Sequence, residues 1–193
     1  MLSNAYWALA HWRRALWRRW HTADKSVWIA AALVIGVLGA LGFGMQVHVE
    51  REEDRREAAR AVERENLECL ARNVYFESRG EPPAGMRAVA EVTMNRVASR
   101  LYPGSVCAVV YQKNWDPIRK RYVGAFSWTE FDSLPEPEGA AWRLAQEIAE
   151  AAFYRRAPVT LPGVLHFHAT HVRPEWSKEK TQVARIGRHL FYR

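Results

Sequence analysis

Apolar and charged positions divide the chain into successive segments. No charged residue occurs from Val27 to Val47, and almost every side chain in that run is apolar. Residues 48–66 are mostly charged, and from residue 67 onward apolar residues recur at the spacing of amphipathic helices. Because about 20 apolar residues suffice for a helix to cross a bilayer, the pattern predicts a transmembrane signal anchor at 27–47. A basic, Trp-rich segment at 1–26 precedes it, and a charged helical spacer at 48–66 links it to a catalytic domain at 67–193.

The charges beside the apolar run predict its orientation. The first 26 residues contain five Arg or Lys residues and one acid, whereas Glu50 follows the run. Since positively charged flanks stay in the cytoplasm, we expect a single-pass inner-membrane protein with a cytoplasmic N-terminus and a periplasmic catalytic domain. A cleaved signal peptide is the alternative, but this run is longer than a usual signal core and no A-x-A site directly follows it. For residues 1–26, a helix on the inner membrane surface and a disordered basic tail both remain open.

Within the domain, periodicity predicts mostly helices. A first helix carries Leu67, Leu70 and Val74 inward and stops near Gly80, and a second begins at Pro82–Pro83, where proline in the first turn costs nothing. A short helix is expected within 102–112 and a third long helix at 138–156. Loops with a hairpin are expected between these two, a strand at 161–170 and a compact tail at the end. The fold class is therefore α+β, mainly helical, with a small β element.

Two cysteines, Cys69 and Cys107, lie in the part expected to be exported. An oxidising compartment favours a disulfide between them, and two buried free thiols are the alternative. A zinc site is disfavoured because Cys-x-x-Cys and His-x-x-x-His spacings are missing from the sequence. We expect no metal ion and no cofactor.

One carboxylic acid stands in an unusual setting in the stretch YFESRGEP. Glu77 directly follows Tyr75 and Phe76, near a helix end. A carboxyl group shielded by apolar rings has a raised pKa, because burial disfavours its charged form, and a general acid needs such a pKa at neutral pH. On these residues alone, a surface carboxylate, or one paired with Arg79 or Arg72, is the commoner case and is favoured.

Three further clusters could belong to a binding site. The stretch AFSWTEFD alternates aromatic and hydroxyl residues, as sugar clefts do, although a core hairpin gives the same pattern. The stretch LHFHATHVRPEW places His166 and His168 on one face of a strand, which packing explains better than metal ligation. The stretch RIGRHLFYR contains Gly187, which permits a turn that would bring His189 toward the site.

Taken together and in order, these segments resemble one family. CLARNVYFESRGEPPAGMRAVAEVTMNRV, YPGSVCAVVYQ, FSWT, HFHATHVRPEW and IGRHLFYR are similar to the cell wall hydrolases that include the spore-cortex-lytic enzymes, the SleB/CwlJ-like hydrolases. The resemblance covers about residues 67–193. It implies a fold akin to lysozyme and the lytic transglycosylases, and action on the glycan strand of peptidoglycan.

The resemblance also implies roles for individual residues. The first acid of the E-x-R-G-E segment is the catalytic one in that family, which maps onto Glu77, with Glu81 beside it as support. The remaining candidates are substrate-binding residues of the cleft: Tyr75, Phe126, Ser127, Trp128, Thr129, His166, His168, Trp176 and His189.

A single well-placed acid favours lytic transglycosylation over hydrolysis, because hydrolysis uses two carboxyl groups. Hydrolysis of the muramidase type and a membrane-anchored peptidoglycan-binding protein without activity remain the alternatives. The expected partners are peptidoglycan and the inner membrane. Nucleic acid suits the formal charge of +7 but conflicts with export, and the sequence does not identify a protein partner.

Overall fold

The computed structural model describes residues 3–22, 25–117 and 119–193, with side chains from residue 11 onward except 22–24 and 118. The chain forms two compact units, Met1–Glu57 and Ala58–Arg193. The second unit begins upstream of residue 67, because the end of the expected spacer already packs on it: the Asn66 side chain accepts a hydrogen bond from the Cys107 amide at 3.2 Å.

The N-terminal part is helical. Helix α1 covers Ser3–Thr22 and helix α2 covers Lys25–Glu77. Within the described residues, α2 is the one helix long and apolar enough to cross a membrane, and its apolar stretch is exposed. Residues 48–66 continue the same helix, with pairs such as Arg55 and Glu52 at 2.7 Å, three residues apart. Such pairs each stabilise a solvated helix by about 0.2–0.5 kcal/mol.

The remaining helices follow the predicted pattern closely. Helix α3 covers Pro83–Ala98, α4 covers Val106–Val110 and α5 covers Gly139–Phe153. Helix α2 ends at Glu77, and Gly80 then adopts φ +73°, a conformation that glycine tolerates without strain. Pro82 is the N-cap of α3, so the two prolines start this helix as expected.

The β structure consists of two small antiparallel sheets. Strands β1 (Lys113–Asp116) and β2 (Arg121–Gly124) form the expected hairpin. Strands β3 (His166–Ala169), β4 (Gln182–Ile186) and β5 (His189–Tyr192) form a sheet in the order β3-β5-β4. The expected strand at 161–170 is therefore only four residues long. Its first half is a turn in which Leu161 and Val164 are buried, and their carbonyls accept hydrogen bonds from the Asn95 side chain.

Helix α3 lies between the two apolar clusters of the domain. One of its faces packs with α4, α5 and the end of α2, and the other, through Ala88 and Val92, meets Val164 and Phe191 beside the sheet. A buried polar chain adds to the first cluster. Trp128 Nε1 donates to Asn73 Oδ1 at 2.8 Å, and Asn73 Nδ2 donates to Thr93 Oγ1 at 3.1 Å. The helix end that carries Glu77 is thus fixed from two sides.

The disulfide expected from the two cysteines is confirmed: Cys69 of α2 is bonded to Cys107 of α4 across 38 residues. In the chain-entropy model, a loop of this length stabilises the fold by about 4 kcal/mol. We expect the Cys69→Ala/Cys107→Ala variant to melt at a clearly lower temperature than the wild type, measured by near-UV circular dichroism in detergent.

A reducing agent supplies the control for this prediction. It should lower the melting temperature of the wild type and leave that of the double variant unchanged. Equal melting of the oxidised wild type and the variant would show that the bridge contributes nothing to stability.

Candidate active site

A cavity of about 510 Å³ opens beside the C-terminal end of α2. Four segments of the chain form its wall: the end of α2 with the following turn, the residue after Phe126, the loop after β3, and the β4–β5 turn. The lining residues are Phe76, Glu77, Arg79, Glu81, Ser127, Ala169, His171, Val172, Arg188 and His189.

Glu77 is the carboxylic acid of this wall that lacks a neutralising contact. Its Oε2 is buried and has no hydrogen-bond partner in the described part of the chain. Burial raises the pKa of Glu77 to about 7, and the nearby charge of Arg96 opposes this only in part. The partial negative charge at a helix C-terminus also disfavours a carboxylate there. Glu77 therefore holds its proton up to neutral pH, as a general acid must.

Glu81 is a carboxylate with a different environment. Its side chain is only 1% exposed, and its oxygens accept hydrogen bonds from the Arg188 amide, at 3.1 Å, and from Arg188 Nε, at 2.9 Å. Burial alone would raise the pKa of Glu81, but the hydrogen bonds from the Arg188 side chain and amide lower it below its usual value. Glu81 is thus an ionised group that joins the α2–α3 turn to the β4–β5 turn.

The backbone around Glu81 is shaped for this contact. Gly187 has φ +58°, and a Cβ atom there would overlap Glu81 Oε2. A Cβ on Gly85 would lie 2.9 Å from the same oxygen. Two glycines are therefore needed for the close approach of the backbone to one carboxylate. The expected turn at Gly187 is present, and it places His189 on the cavity wall.

His189 is a neutral imidazole at this wall. Burial is the main cause that lowers the pKa of His189, and the charge of Glu81 opposes it. Its Nδ1 lies 3.9 Å from Glu81 Oε1 and makes no hydrogen bond within the described residues. The ring packs edge-on against Phe167 at 5.2 Å. An imidazole held in this way can donate to or accept from a substrate hydroxyl without adding charge.

The Phe-Ser-Trp-Thr segment is divided between the cavity and the core. Ser127 lines the cavity, whereas Phe126 and Trp128 are buried, and Trp128 stacks on Phe76 at 5.0 Å. Thr129 donates to the Phe126 carbonyl at 2.7 Å. The structure therefore places Phe126 and Trp128 in the core and not on the wall of this cavity, and Trp128 supports the helix end that carries Glu77. Thr129 is half-buried and bonds within its own turn, so its expected contact with substrate stays a prediction.

Four other candidates also lie away from this cavity. Tyr75 packs edge-on against Trp142 at 5.8 Å, in the helical core. His168 and Trp176 join Tyr192 on the face of the sheet opposite His189, where Tyr192 lies 2.9 Å from His168 Nε2. His166 shares that face, as the strand pattern predicted, but lines a second cavity. Successive side chains of a strand point to opposite faces of its sheet. His166 and His168 of β3 therefore point away from the face that carries His189.

The sequence did not single out several residues of the wall. Arg79, His171 and Arg188 contribute basic side chains, and Arg188 also donates to the Arg79 carbonyl at 2.6 Å. Each lies within a quoted motif: Arg79 is two residues from Glu77, His171 is three residues from His168, and Arg188 precedes His189. The turn conformation of Gly187 was the only sequence signal that pointed to Arg188.

The raised pKa of Glu77 predicts how stability depends on pH. A carboxyl group with a folded pKa of about 7 against 4.5 when unfolded contributes about 3 kcal/mol below pH 4.5, which is lost as the pH rises to 7. Relative to Glu77→Gln, the wild type should therefore lose stability between pH 4.5 and 7, measured by urea unfolding. Glu147→Gln, the same change on the exposed face of α5, should unfold like the wild type at every pH. Parallel curves for the wild type and Glu77→Gln would contradict the raised pKa.

For Glu81, replacement by glutamine should lower the free energy of unfolding at neutral pH, whereas for Glu77 it should raise it. Glu81→Gln loses charge-assisted hydrogen bonds from Arg188, each worth about 1.5–3 kcal/mol, so the variant should be less stable than the wild type at pH 7. Because the folded pKa is lowered, the difference should shrink as the pH falls through the carboxyl range. A variant as stable as the wild type at pH 7 would show that this contact does not hold the two turns together.

Comparison with known proteins gives one consistent result. The family model described as Cell Wall Hydrolase matches residues 80–192, which begins three residues after Glu77. The spore cortex-lytic enzyme of Bacillus subtilis (strain 168) is 28% identical over 129 residues, 65% of this chain and 37% of that protein. The enzyme of that name from Bacillus cereus is 27% identical over 129 residues, 65% of this chain and 43% of that protein. The chain thus spans about two fifths of the length of these curated relatives.

Two solved structures agree with this fold. The catalytic domain of the Bacillus cereus SleB protein superposes with a TM-score of 0.52 and 26% identity, over 66% of this chain and 89% of that domain. The catalytic domain of the germination-specific lytic transglycosylase SleB from Bacillus anthracis gives 0.50 and 25%, over 66% and 93%. The mainly helical α+β fold expected from the resemblance is confirmed, and the chain belongs to the Cell Wall Hydrolase family, with a SleB-type domain.

Proposed function

We propose that this protein cleaves the glycan strand of peptidoglycan between N-acetylmuramic acid and N-acetylglucosamine, as a lytic transglycosylase with Glu77 as its acid and base. The observation that carries the proposal is the buried Oε2 of Glu77, which has no hydrogen-bond partner among the described residues and lies on the wall of a cavity. Membership of the family supports peptidoglycan as the substrate. The name of the Bacillus anthracis relative supports transglycosylation as the reaction.

In the first step, protonated Glu77 donates its proton to the glycosidic oxygen. The bond between that oxygen and C1 of the muramic residue breaks, and an electron-poor C1 develops. The proton transfer requires an acid with a pKa near the working pH, which matches the value of about 7 for Glu77. Glu77 is left as a carboxylate close to the reacting sugar.

In the second step, the Glu77 carboxylate removes the proton from the C6 hydroxyl of the same muramic residue. The C6 oxygen bonds to C1 and closes a 1,6-anhydro ring, and Glu77 regains its proton. The substrate supplies the nucleophile, so neither water nor a second carboxylate takes part. The buried position of Glu77 favours this return of the proton, because burial destabilises the intermediate carboxylate.

Glu81 and Ser127 support this chemistry without transferring a proton. The Glu81 carboxylate accepts hydrogen bonds from Arg188, and the negative charge of Glu81 lies beside the cavity. A fixed negative charge stabilises positive charge that develops at C1. The exposed hydroxyl of Ser127 provides a hydrogen-bonding group for a sugar.

Hydrolysis is the second candidate, because Glu81 brings a second carboxylate to the same cavity. A retaining enzyme would use it as the nucleophile and an inverting enzyme as the base for water. Both roles require an accessible carboxylate, whereas the Glu81 side chain is 1% exposed and hydrogen-bonded on both oxygens. This environment favours the transglycosylase route.

We propose further that α2 anchors the enzyme in the inner membrane, with a cytoplasmic N-terminus and a periplasmic domain. The apolar stretch of α2 is long enough to span the bilayer, and the basic N-terminal segment favours this orientation. The disulfide fits an oxidising compartment. The enzyme would then meet the wall from the membrane side.

Digestion of sacculi by the full chain in detergent tests the reaction. We expect mass spectra of the released muropeptides to contain 1,6-anhydro ends, and we expect the rate to fall above about pH 7 as Glu77 loses its proton. Glu77→Gln should reduce the rate by about a hundredfold to ten-thousandfold with the fold intact, and Glu147→Gln should act like the wild type.

Two other results of this digestion would support hydrolysis or a binding protein instead. New reducing ends without anhydro ends would establish hydrolysis. Binding to sacculi without any released fragment, equal in the wild type and Glu77→Gln, would establish a binding protein and reject the proposed function.

A further inference from the structure

A second cavity, of about 500 Å³, lies on the other side of Phe126. Ala125 lines it, whereas Ser127 lines the cavity of Glu77. Two residues of extended chain span at most about 7 Å, so the two cavities are close neighbours. To enter the second cavity, part of a polymer bound at Glu77 has to extend past Phe126.

The second cavity has a positive charge. Arg96 and Lys180 line it, and none of its described lining residues is acidic. Arg96 is buried and donates through Nε to the Leu165 carbonyl at 2.8 Å, whereas the ion pairs of the described chain do not include Lys180. Two cations in a partly enclosed space, with no carboxylate among the described lining residues, form a site for an anion.

Neutral groups complete the wall of this cavity. Burial, followed by the charges of Lys180 and Arg96, lowers the pKa of His166 to about 4, so this imidazole is neutral at physiological pH. Gln112 donates through Nε2 to Asn114 at 3.1 Å, and its Oε1 is buried without a partner in the described residues. The cavity therefore offers an unused acceptor beside two cations, which suits a ligand that carries both an N–H group and a carboxylate.

Peptide stems have this combination, whereas the N-acetylated sugars of an intact strand are uncharged. Besides His166, the aromatic residue among the described lining residues is Tyr102. Arg96 already covers its ring, with Cζ 5.2 Å from the ring centroid. An open aromatic face for a sugar ring is therefore missing from this part of the described wall. The charges favour the peptide over another sugar.

We propose that the second cavity binds a carboxylate of the peptide stem attached to the strand that Glu77 cleaves. The stem carboxylate lies between Lys180 and Arg96, and a stem N–H donates to Gln112. This inference rests on the proposed function. It means that the enzyme binds the peptide stem while it cleaves the glycan strand. Lys180 is a substrate-binding residue in this scheme.

Binding of a stem peptide alone tests the cavity without any cleavage. The probe is the tripeptide L-alanyl-γ-D-glutamyl-diaminopimelate, added to the full chain in detergent micelles while imidazole NMR signals are titrated with pH. A carboxylate beside His166 should raise the pKa of this residue by about one unit, and the tripeptide with carboxamides should not.

Two lysine variants sharpen this experiment. Lys180→Ala should weaken tripeptide binding about tenfold, which matches the loss of one charged hydrogen bond. Lys178→Ala removes a lysine that pairs with Glu175 on the surface and should bind like the wild type. An unchanged His166 titration with the tripeptide, or equal binding by both variants, would overturn the proposal.

Kinetics on glycan strands separate this inference from the proposed function. With strands that carry free stem carboxylates, Lys180→Ala should raise KM about tenfold and leave kcat nearly unchanged. With strands whose carboxylates are converted to amides, the wild type and Lys180→Ala should have the same KM. If both substrates are cleaved with the same KM by the wild type and by Lys180→Ala, the peptide site is rejected and the proposed function is kept. If neither substrate is cleaved, the proposed function is rejected, and the tripeptide titration alone tests the second cavity.

Discussion

The burial of one carboxyl group is the constraint on which the rest of the site depends. Glu77 lies at the end of α2 with an oxygen that is removed from water and has no partner in the described chain. Such a group costs stability whenever it is ionised. The surrounding structure has to hold the helix end in place against this cost, and its main features follow from that requirement.

Two kinds of contact meet this requirement. On the core side, the stacking of Trp128 on Phe76 and the hydrogen bond from Trp128 to Asn73 fix the last turns of α2. On the cavity side, Glu81 and Arg188 join the turn after α2 to the β4–β5 turn. One acid is therefore kept neutral by burial, while its neighbour is kept ionised by hydrogen bonds. Environments of this kind divide two carboxyl groups between chemistry and support.

Much of the fold could be read from the sequence, because its signals are local. The double proline at Pro82 and the apolar spacing of α3 predict that helix, and Gly80 and Gly187 mark turns that the structure contains. The strand expected at 161–170 was too long, since the burial of Leu161 comes from a turn and not from a sheet. Alternation of apolar residues does not distinguish these two cases.

The site was harder to predict, because its contacts join distant parts of the chain. Glu81 and Arg188 are 107 residues apart, and no local pattern pairs them. Motif order identified Glu77 and His189 as candidates but could not separate residues on the cavity wall, such as Ser127, from core residues beside them, such as Phe126 and Trp128. Adjacent side chains in a turn point to different environments, and only the tertiary packing decides which of them meets the cavity.

The central claim is that burial raises the pKa of Glu77 to about 7, and a direct titration of its carboxyl carbon tests it. With ¹³C-labelled glutamate in the full chain, NMR spectra should contain one carboxyl resonance that titrates near pH 7, and Glu77→Gln should lack that resonance. If every glutamate carboxyl of the wild type titrates below about pH 5, in the ordinary range, Glu77 is not held as an acid and the account of this site is wrong.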